Sequence, residues 1–216
     1  MYVEAAMVRR TKQEALATRQ QIIDAAEAQF LRRGVARTSL QDIAAAAGLT
    51  RGAIYWHFKD KAELFDAMLA RVALPMEQAV DRSADPAIGD PLAQIRRSLL
   101  DSLRATVEDP QTRRVFEIAL QKVEYVDEMK AVRERRLASL RERSRHLEAA
   151  LRRARAQGRV GSGTPARAAA LGLHALVSGL IQNWLLDPAG FDLQRVGRQA
   201  VDAYLAGLQP RATAPP

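Results

Sequence analysis

Apolar residues recur every three or four positions along nearly the whole chain, and no segment sustains the strict alternation of a half-buried strand. The pattern predicts an all-α protein. Ile22, Ala26 and Phe30 repeat at intervals of four beside Ile23, so a first helix begins near Thr18 and stops at Gly34. Thr38 and Ser39, with Gln41 and Asp42 three residues on, open a short second helix through Ile43 to Ala47 that ends at Gly48. Thr50 caps a third helix from Arg51 to Phe58. Asp60 with Glu63 forms another capping pattern and opens a fourth through Leu64, Phe65, Met68, Leu69 and Val72, which Pro75 should kink or end.

Ser83 to Pro91 is rich in Pro, Asp and Gly and reads as a loop. Asp90-Pro91 then starts a helix with Leu92, Ile95, Leu99 and Leu103 on one face, and Glu108-Asp109-Pro110 punctuates its end. A further helix carries Val115, Ile118 and Ala119. The longest runs from about Tyr125 to Gln157, with Met129, Val132, Arg136, Leu140, Leu147 and Leu151 along one stripe, and Gly158 closes it. Thr164-Pro165 begins a helix apolar almost all round to Trp184 and Leu186, in which Gly172 and Gly179 permit close approach by a second copy. Asp192 begins the last helix, bearing Val196, Ala200, Val201, Tyr204 and Leu208. That makes about nine helices. The expected domains are a flexible basic arm over 1–17, a helix-turn-helix head over 18–63, a helical body over 64–208 and a disordered tail over 209–216.

Composition narrows the function classes. The formal net charge of +8 points to an anionic partner, although a basic solvated surface gives the same total. The absence of cysteine removes disulfide and thiolate chemistry, and His57, His146 and His174 are too scattered for a metal cluster. No Ser/His/Asp set converges, so an enzyme is not expected, and no cofactor is implied. The N-terminal residues lack the apolar core of a signal peptide, and a reduced cytoplasm without membrane attachment is the expected compartment. Between Lys130 and Arg155 there are ten basic residues against three acidic ones, without interleaved aromatics, which reads as a solvated face.

Candidate chemistry concentrates on the third helix. Ile54 and Phe58 are four apart and apolar, so they turn inward and leave Arg51, Gly52, Tyr55 and Trp56 outward. Exposed aromatics beside Arg and Gly fit contacts to DNA better than a requirement for solubility. Gly52 lets the helix approach a groove closely, Arg51 can reach a guanine edge, and Tyr55, His57 and Lys61 can serve phosphates. Packing against the fourth helix is the competing role for Trp56 and His57.

The run Thr38-Ser-Leu-Gln-Asp-Ile-Ala-Ala-Ala-Ala-Gly-Leu-Thr-Arg-Gly-Ala-Ile-Tyr-Trp-His-Phe-Lys-Asp-Lys-Ala-Glu-Leu-Phe65 resembles the DNA-binding signature of the TetR/AcrR family of bacterial repressors. Val8 to Glu14, Gly34 to Thr38 and Gly179 to Pro188 are similar to the branch of that family that locally represses multidrug efflux operons, the AcrR/TtgR type. The likeness weakens between about Ser83 and Arg167. It implies nine helices, with the first three as the DNA-binding head, the fourth as a link and the last two as a homodimer interface. It also implies Met7 as the initiator. DNA contacts implied by the resemblance fall on Thr38, Ser39, Thr50, Arg51, Gly52, Ala53, Tyr55, Trp56, His57 and Lys61, with Arg9, Arg10 and Lys12 available to a minor groove. A ligand cavity inside the body is implied near Met76, Leu99, Leu103, Phe116, Leu120, His174 and Ser178, each equally at home in an ordinary core.

The expected function is repression of a multidrug efflux operon through a palindromic operator, with release by a hydrophobic small molecule. A same-fold repressor of a lipid or amino-acid operon responding to a metabolite is the alternative. A lipid carrier or enzyme with an appended DNA head is a further one.

Overall fold

The computed structural model describes residues 2–83, 89–123 and 130–210, with side chains considered at all of these except 2–11 and 73–83. Nine helices lie among the described residues: α1 (Tyr2–Arg33), α2 (Leu40–Ala46), α3 (Arg51–His57), α4 (Lys61–Ser83), α5 (Pro91–Glu108), α6 (Pro110–Gln121), α7 (Lys130–Ala156), α8 (Ala166–Leu186) and α9 (Leu193–Gly207). No strand occurs among these residues.

Two elements depart from the expectation. The first helix begins at Tyr2, well ahead of Thr18. Apart from Tyr2, Val3, Val8 and Thr11, its leading turns are built from Ala, Glu, Met, Lys, Gln, Arg and Leu, all strong helix formers, and they contain neither Gly nor Pro. They carry no amphipathic stripe, so hydrophobic periodicity cannot detect them. The fourth helix passes through Pro75 and continues to Ser83. Pro75 removes the N–H that would reach the Arg71 carbonyl and crowds that carbonyl, yet the helix continues through it, with helix formers on both sides. The core of the predicted loop at 84–88, the predicted start of the long helix near Tyr125, and residues 211–216 lie outside the described residues.

The chain divides into two compact units, Met1–Arg71 with Glu117–Arg135, and Val72–Phe116 with Arg136–Pro216. In the first unit Ile22, Ile23, Phe30, Ile43, Ile54, Phe58, Leu64, Phe65 and Met68 are at most 1% exposed. The Phe30 and Phe65 rings lie 6.1 Å apart and tilted. Arg71 clamps α4 to α1, donating to the Asp24 carboxylate at 2.6 Å and to both the side chain and the backbone carbonyl of Gln20. Residues 117–135 join this unit through the Val35 N–H, which donates to the Lys122 carbonyl at 2.9 Å, and through Arg135 on Asp66 at 2.5 Å.

In the second unit α5, α8 and α9 pack together at two glycines. A methyl group at Gly197 of α9 would fall 2.4 Å from a Leu103 methyl, so Leu103 seats on α9. A methyl group at Gly172 of α8 would fall 2.1 Å from the Tyr204 hydroxyl, which donates to the Ala169 carbonyl at 3.2 Å. Gly172 is therefore filled from within the chain, while Gly179 has open space beside it. Arg96 on α5 grips Asp202 on α9 with two hydrogen bonds of 2.6 and 3.0 Å. By length and composition α8 could cross a membrane, yet its Ala169, Ala170, Leu173, Val177, Ile181, Trp184 and Leu185 are buried in the unit.

Because Leu103 is 1% exposed and wedged on a glycine, Leu103→Ala opens a cavity at the α5–α9 contact. The expected loss is about 2–5 kcal/mol of stability, read by urea denaturation. A loss below about 1 kcal/mol would show that the contact is not tightly packed.

Candidate nucleic-acid interface

Two short helices joined by a tight turn create the site. Ser39 caps α2: its hydroxyl accepts from the Asp42 N–H at 3.1 Å, and the Asp42 carboxylate accepts from the Ser39 N–H at 2.9 Å. That carboxyl is held below its usual range, chiefly by the Ser39 hydroxyl. Gly48 takes a φ of +67°, which a side-chain-bearing residue adopts only with strain, and turns the chain toward α3. Gln21 of α1 donates to the Ala47 carbonyl at 2.7 Å, satisfying the end of α2. Thr50 caps α3 by accepting from the Ala53 N–H at 3.2 Å.

With Ile54 and Phe58 inside, the opposite face of α3 points away from the unit. Tyr55 is 47% and Trp56 73% exposed. The Arg51 guanidinium sits 5.5 Å from the centre of the Tyr55 ring. At Gly52 a methyl group would meet only the Thr50 hydroxyl at 3.9 Å, so backbone is accessible there. Trp56 stands edge-on to His57 at 4.6 Å, and His57 is half-buried. Its pKa lies below the ordinary imidazole value because of burial and then the Arg19 charge. Arg19 also covers the Phe58 ring at 4.9 Å. Nothing in the local pattern marks Arg19, since α1 brings it to the end of α3 from far away in sequence.

Some residues named from sequence have structural commitments. Thr38 is 1% exposed and its hydroxyl donates to the Gly34 carbonyl at 2.8 Å, so it points into the unit. The Ser39 hydroxyl is engaged with Asp42. Lys61 is half-buried and its ammonium donates to the Ala36 carbonyl at 3.1 Å, tying α4 to the loop before α2. Ala53 is half-buried, and Lys12 is exposed. The side chains of Arg9 and Arg10 lie outside the described residues.

Among the residues named for a ligand cavity, Leu99 and Leu103 are buried, and Phe116, Leu120, His174 and Ser178 are half-buried. The His174 Nε2 lies 3.3 Å from the Ser178 hydroxyl. Leu120 belongs to the first unit and the others to the second, and the Met76 side chain lies outside the described residues. A concavity of about 380 Å³ is lined by Asp90, Leu92, Arg159, Gln209 and Pro210, none of them expected from sequence. Arg159 is paired with Asp90 across it.

A doubly capped helix-turn-helix whose second helix presents Arg, Gly and aromatics, followed by a helical body, defines a DNA-binding transcription regulator. Residues 22–68 match the family model of bacterial regulatory proteins, tetR family, and residues 90–210 match the C-terminal region of MAATS-type transcriptional repressors. The HTH-type transcriptional regulator TtgR of Pseudomonas putida is 44% identical over 203 residues, spanning 94% of this chain and 97% of TtgR. The solved structure of NalD, the secondary repressor of the MexAB-OprM multidrug efflux pump in Pseudomonas aeruginosa, matches with a TM-score of 0.83 and 36% identity, covering 93% of this chain and all of NalD (100%). A complex of triclosan with SmeT, the repressor of the Stenotrophomonas maltophilia pump SmeDEF, matches with a TM-score of 0.82 and 37% identity over 93% of this chain and 98% of SmeT. The chain belongs to the TetR family, with a MAATS-type C-terminal region; it is a transcription regulator and not an enzyme.

If Arg51 reads a base edge, Arg51→Ala lowers operator affinity by about 1–3 kcal/mol and relaxes the preference at one base pair. Competition gel shifts against single-base-pair variants measure both, and unchanged affinity and preference would remove Arg51 from the interface.

The His174 imidazole is held below its ordinary pKa by burial, then by Arg143 and Arg136. Above the unfolded value of about 6.5 the ring is neutral in both states and stability is unaffected. As pH falls below that value the unfolded chain takes the proton first, so stability drops until the folded pKa is passed. His174→Gln should flatten the denaturation free energy between pH 7 and 5, and a curve as steep as wild type would refute a buried neutral ring.

Proposed function

We propose that this protein is a cytoplasmic local repressor of a multidrug efflux operon, a homodimer that holds a palindromic operator and leaves it when a hydrophobic small molecule binds the body. The carrying observation is the outward face of α3, where Arg51, Gly52, Tyr55 and Trp56 are exposed on a helix capped at its start and packed on its other side. Thr50, Ala53 and His57 complete this face as contacts to phosphate and groove. Ser39 and Lys61 flank this face and would reach the backbone only by giving up their bonds to Asp42 and the Ala36 carbonyl, and Thr38 acts by shaping the loop before α2.

Support for the efflux assignment comes from NalD and SmeT, both repressors of multidrug efflux pumps, each covered almost end to end by this chain. Support for a dimer comes from α8, where Leu171 is 47% and Leu186 67% exposed and Gly179 has open space beside it. Two copies meeting along α8 and α9 place two heads on successive major grooves, about 34–36 Å apart or a multiple of that repeat. A ligand that favours one spacing of the heads and an operator that favours another are then coupled through the body.

The test uses a labelled duplex from the DNA upstream of this protein's own gene, with sedimentation of the free protein beside it. The free protein should sediment as a dimer. Fluorescence anisotropy should show tight binding to this duplex, weakened about 5- to 150-fold by a saturating ligand. Triclosan, the ligand in the SmeT complex, is the first compound to try. By linkage, operator DNA must lower ligand affinity by the same factor. A concentrated sample that remains monomeric, or a ligand that binds without moving operator affinity, would overturn the proposal.

A further inference from the structure

One row of α1 runs in alternating steps of four and three through Lys12, Leu16, Arg19, Ile23, Ala26 and Phe30, which places them on one face of the helix. Burial along this row is graded. Ile23, Ala26 and Phe30 are fully buried in the head, Arg19 is half-buried, Leu16 is 53% exposed and Lys12 is exposed. Arg19 therefore stands where the protein stops covering this face. Its guanidinium lies over the Phe58 ring, 4.9 Å from the centroid, at the residue that ends α3. His57 comes immediately before that phenylalanine, and the exposed Trp56 stands edge-on to His57 at 4.6 Å. Among the described residues no carboxylate pairs with Arg19 and no acceptor takes its N–H groups. The ring contact occupies a face of the guanidinium, whereas hydrogen bonds leave from its edge, so the planar fork of donors is uncommitted.

We propose that Arg19 is a further residue of the DNA interface, its guanidinium held flat on Phe58 and its edge gripping a backbone phosphate at the C-terminal end of α3. The inference rests on α3 as the groove-reading helix and adds a contact from α1 that lies outside it. In a helix-turn-helix the start of the second helix reads base edges. The seven residues of α3 rise about 10 Å, against a major groove about 12 Å wide, so groups at its far end stand beside the phosphates of the groove wall. Phe58 is 1% exposed and anchored in the core, which makes its ring a fixed platform. An arginine pinned to that platform by its face presents its fork already oriented for two phosphate oxygens. Covering the ring is a role that an aliphatic side chain would fill without placing a charge beside a half-buried imidazole. A phosphate carries no sequence information, so Arg19 supplies affinity and register where Arg51 supplies base preference.

The experiment measures fluorescence anisotropy on the duplex from upstream of the gene and on an arbitrary duplex of equal length, over a series of salt concentrations. Arg19→Met keeps an apolar cover on Phe58 and removes the charge. It should weaken binding to both duplexes by the same factor, roughly tenfold. The slope of log affinity against log salt should become shallower by about one unit per head. Arg19→Lys should restore the slope and only part of the affinity, since a point charge replaces the fork. A scan of neutral methylphosphonates along the upstream duplex locates the contact. Wild type should lose affinity at one position in each half-site where Arg19→Met no longer responds, while both respond alike elsewhere. Arg19→Gln is read in the same way if the methionine variant does not fold. An unchanged salt slope, or a scan that matches wild type at every position, overturns the proposal. Weakening on the upstream duplex alone would assign Arg19 to holding α3 in place and overturns it equally. Wild-type protein that binds the upstream duplex no more tightly than the arbitrary one would overturn the operator reading, while the salt slope on the arbitrary duplex still decides Arg19.

Discussion

A helix of seven residues does not hold itself together in water, and the head of this protein depends on how α3 is nevertheless kept helical. Its stability is borrowed from one face. Ile54 and Phe58 are buried, as are Ile22, Ile23, Phe30 and Ile43 of the same unit, while Thr50 closes its first turn. The left-handed Gly48 and the Gln21 bond to the Ala47 carbonyl set the direction from which α3 enters. Because the inner face and the cap supply all of this, the outer face carries no structural duty. That freedom leaves a wide-open tryptophan, a bare glycine backbone and an arginine over a tyrosine ring on one small surface.

Polar clamps arrange the larger elements around this head. The Arg71 side chain is only 15% exposed and is shared among Gln20, Asp24 and Glu27, so water and salt screen it less than they would a surface pair. Arg135 on Asp66 is a different case. Burial raises the Asp66 pKa despite the arginine beside it, so desolvation offsets much of the attraction. The pair contributes placement more than stability, and with the Val35–Lys122 backbone bond it brings residues 117–135 into the head's unit.

In the second unit the spacing of helices is set by contact of side chain on bare backbone. Leu103 on Gly197 and Tyr204 on Gly172 each need a glycine opposite, and together they fix how closely α9 approaches α5 and α8. The Arg96–Asp202 pair spans the same contact with good geometry, but both side chains are more than 40% exposed, so it orients the helices and adds little energy.

The linear sequence determined those features that depend on neighbours a few positions away. Helix periodicity, the Ser39–Asp42 capping box, the Thr50 cap, the Gly48 turn and the outward Arg51–Tyr55–Trp56 face all follow from spacing within one or two turns. The helical start at Tyr2 and the passage through Pro75 escaped it, because propensity without amphipathicity leaves no periodic signal and a lone proline does not outweigh strong helix formers on both sides. Tertiary structure alone decided which polar groups were already engaged. The Thr38 hydroxyl and the Lys61 ammonium are drawn to the carbonyls of Gly34 and Ala36, and Arg19 reaches His57 and Phe58 across the fold. It also decided that Gly172 receives Tyr204 from its own chain. Hydrogen bonds and charge interactions act between atoms that meet only after the chain has folded, and no spacing rule within a single helix records which side chains those will be.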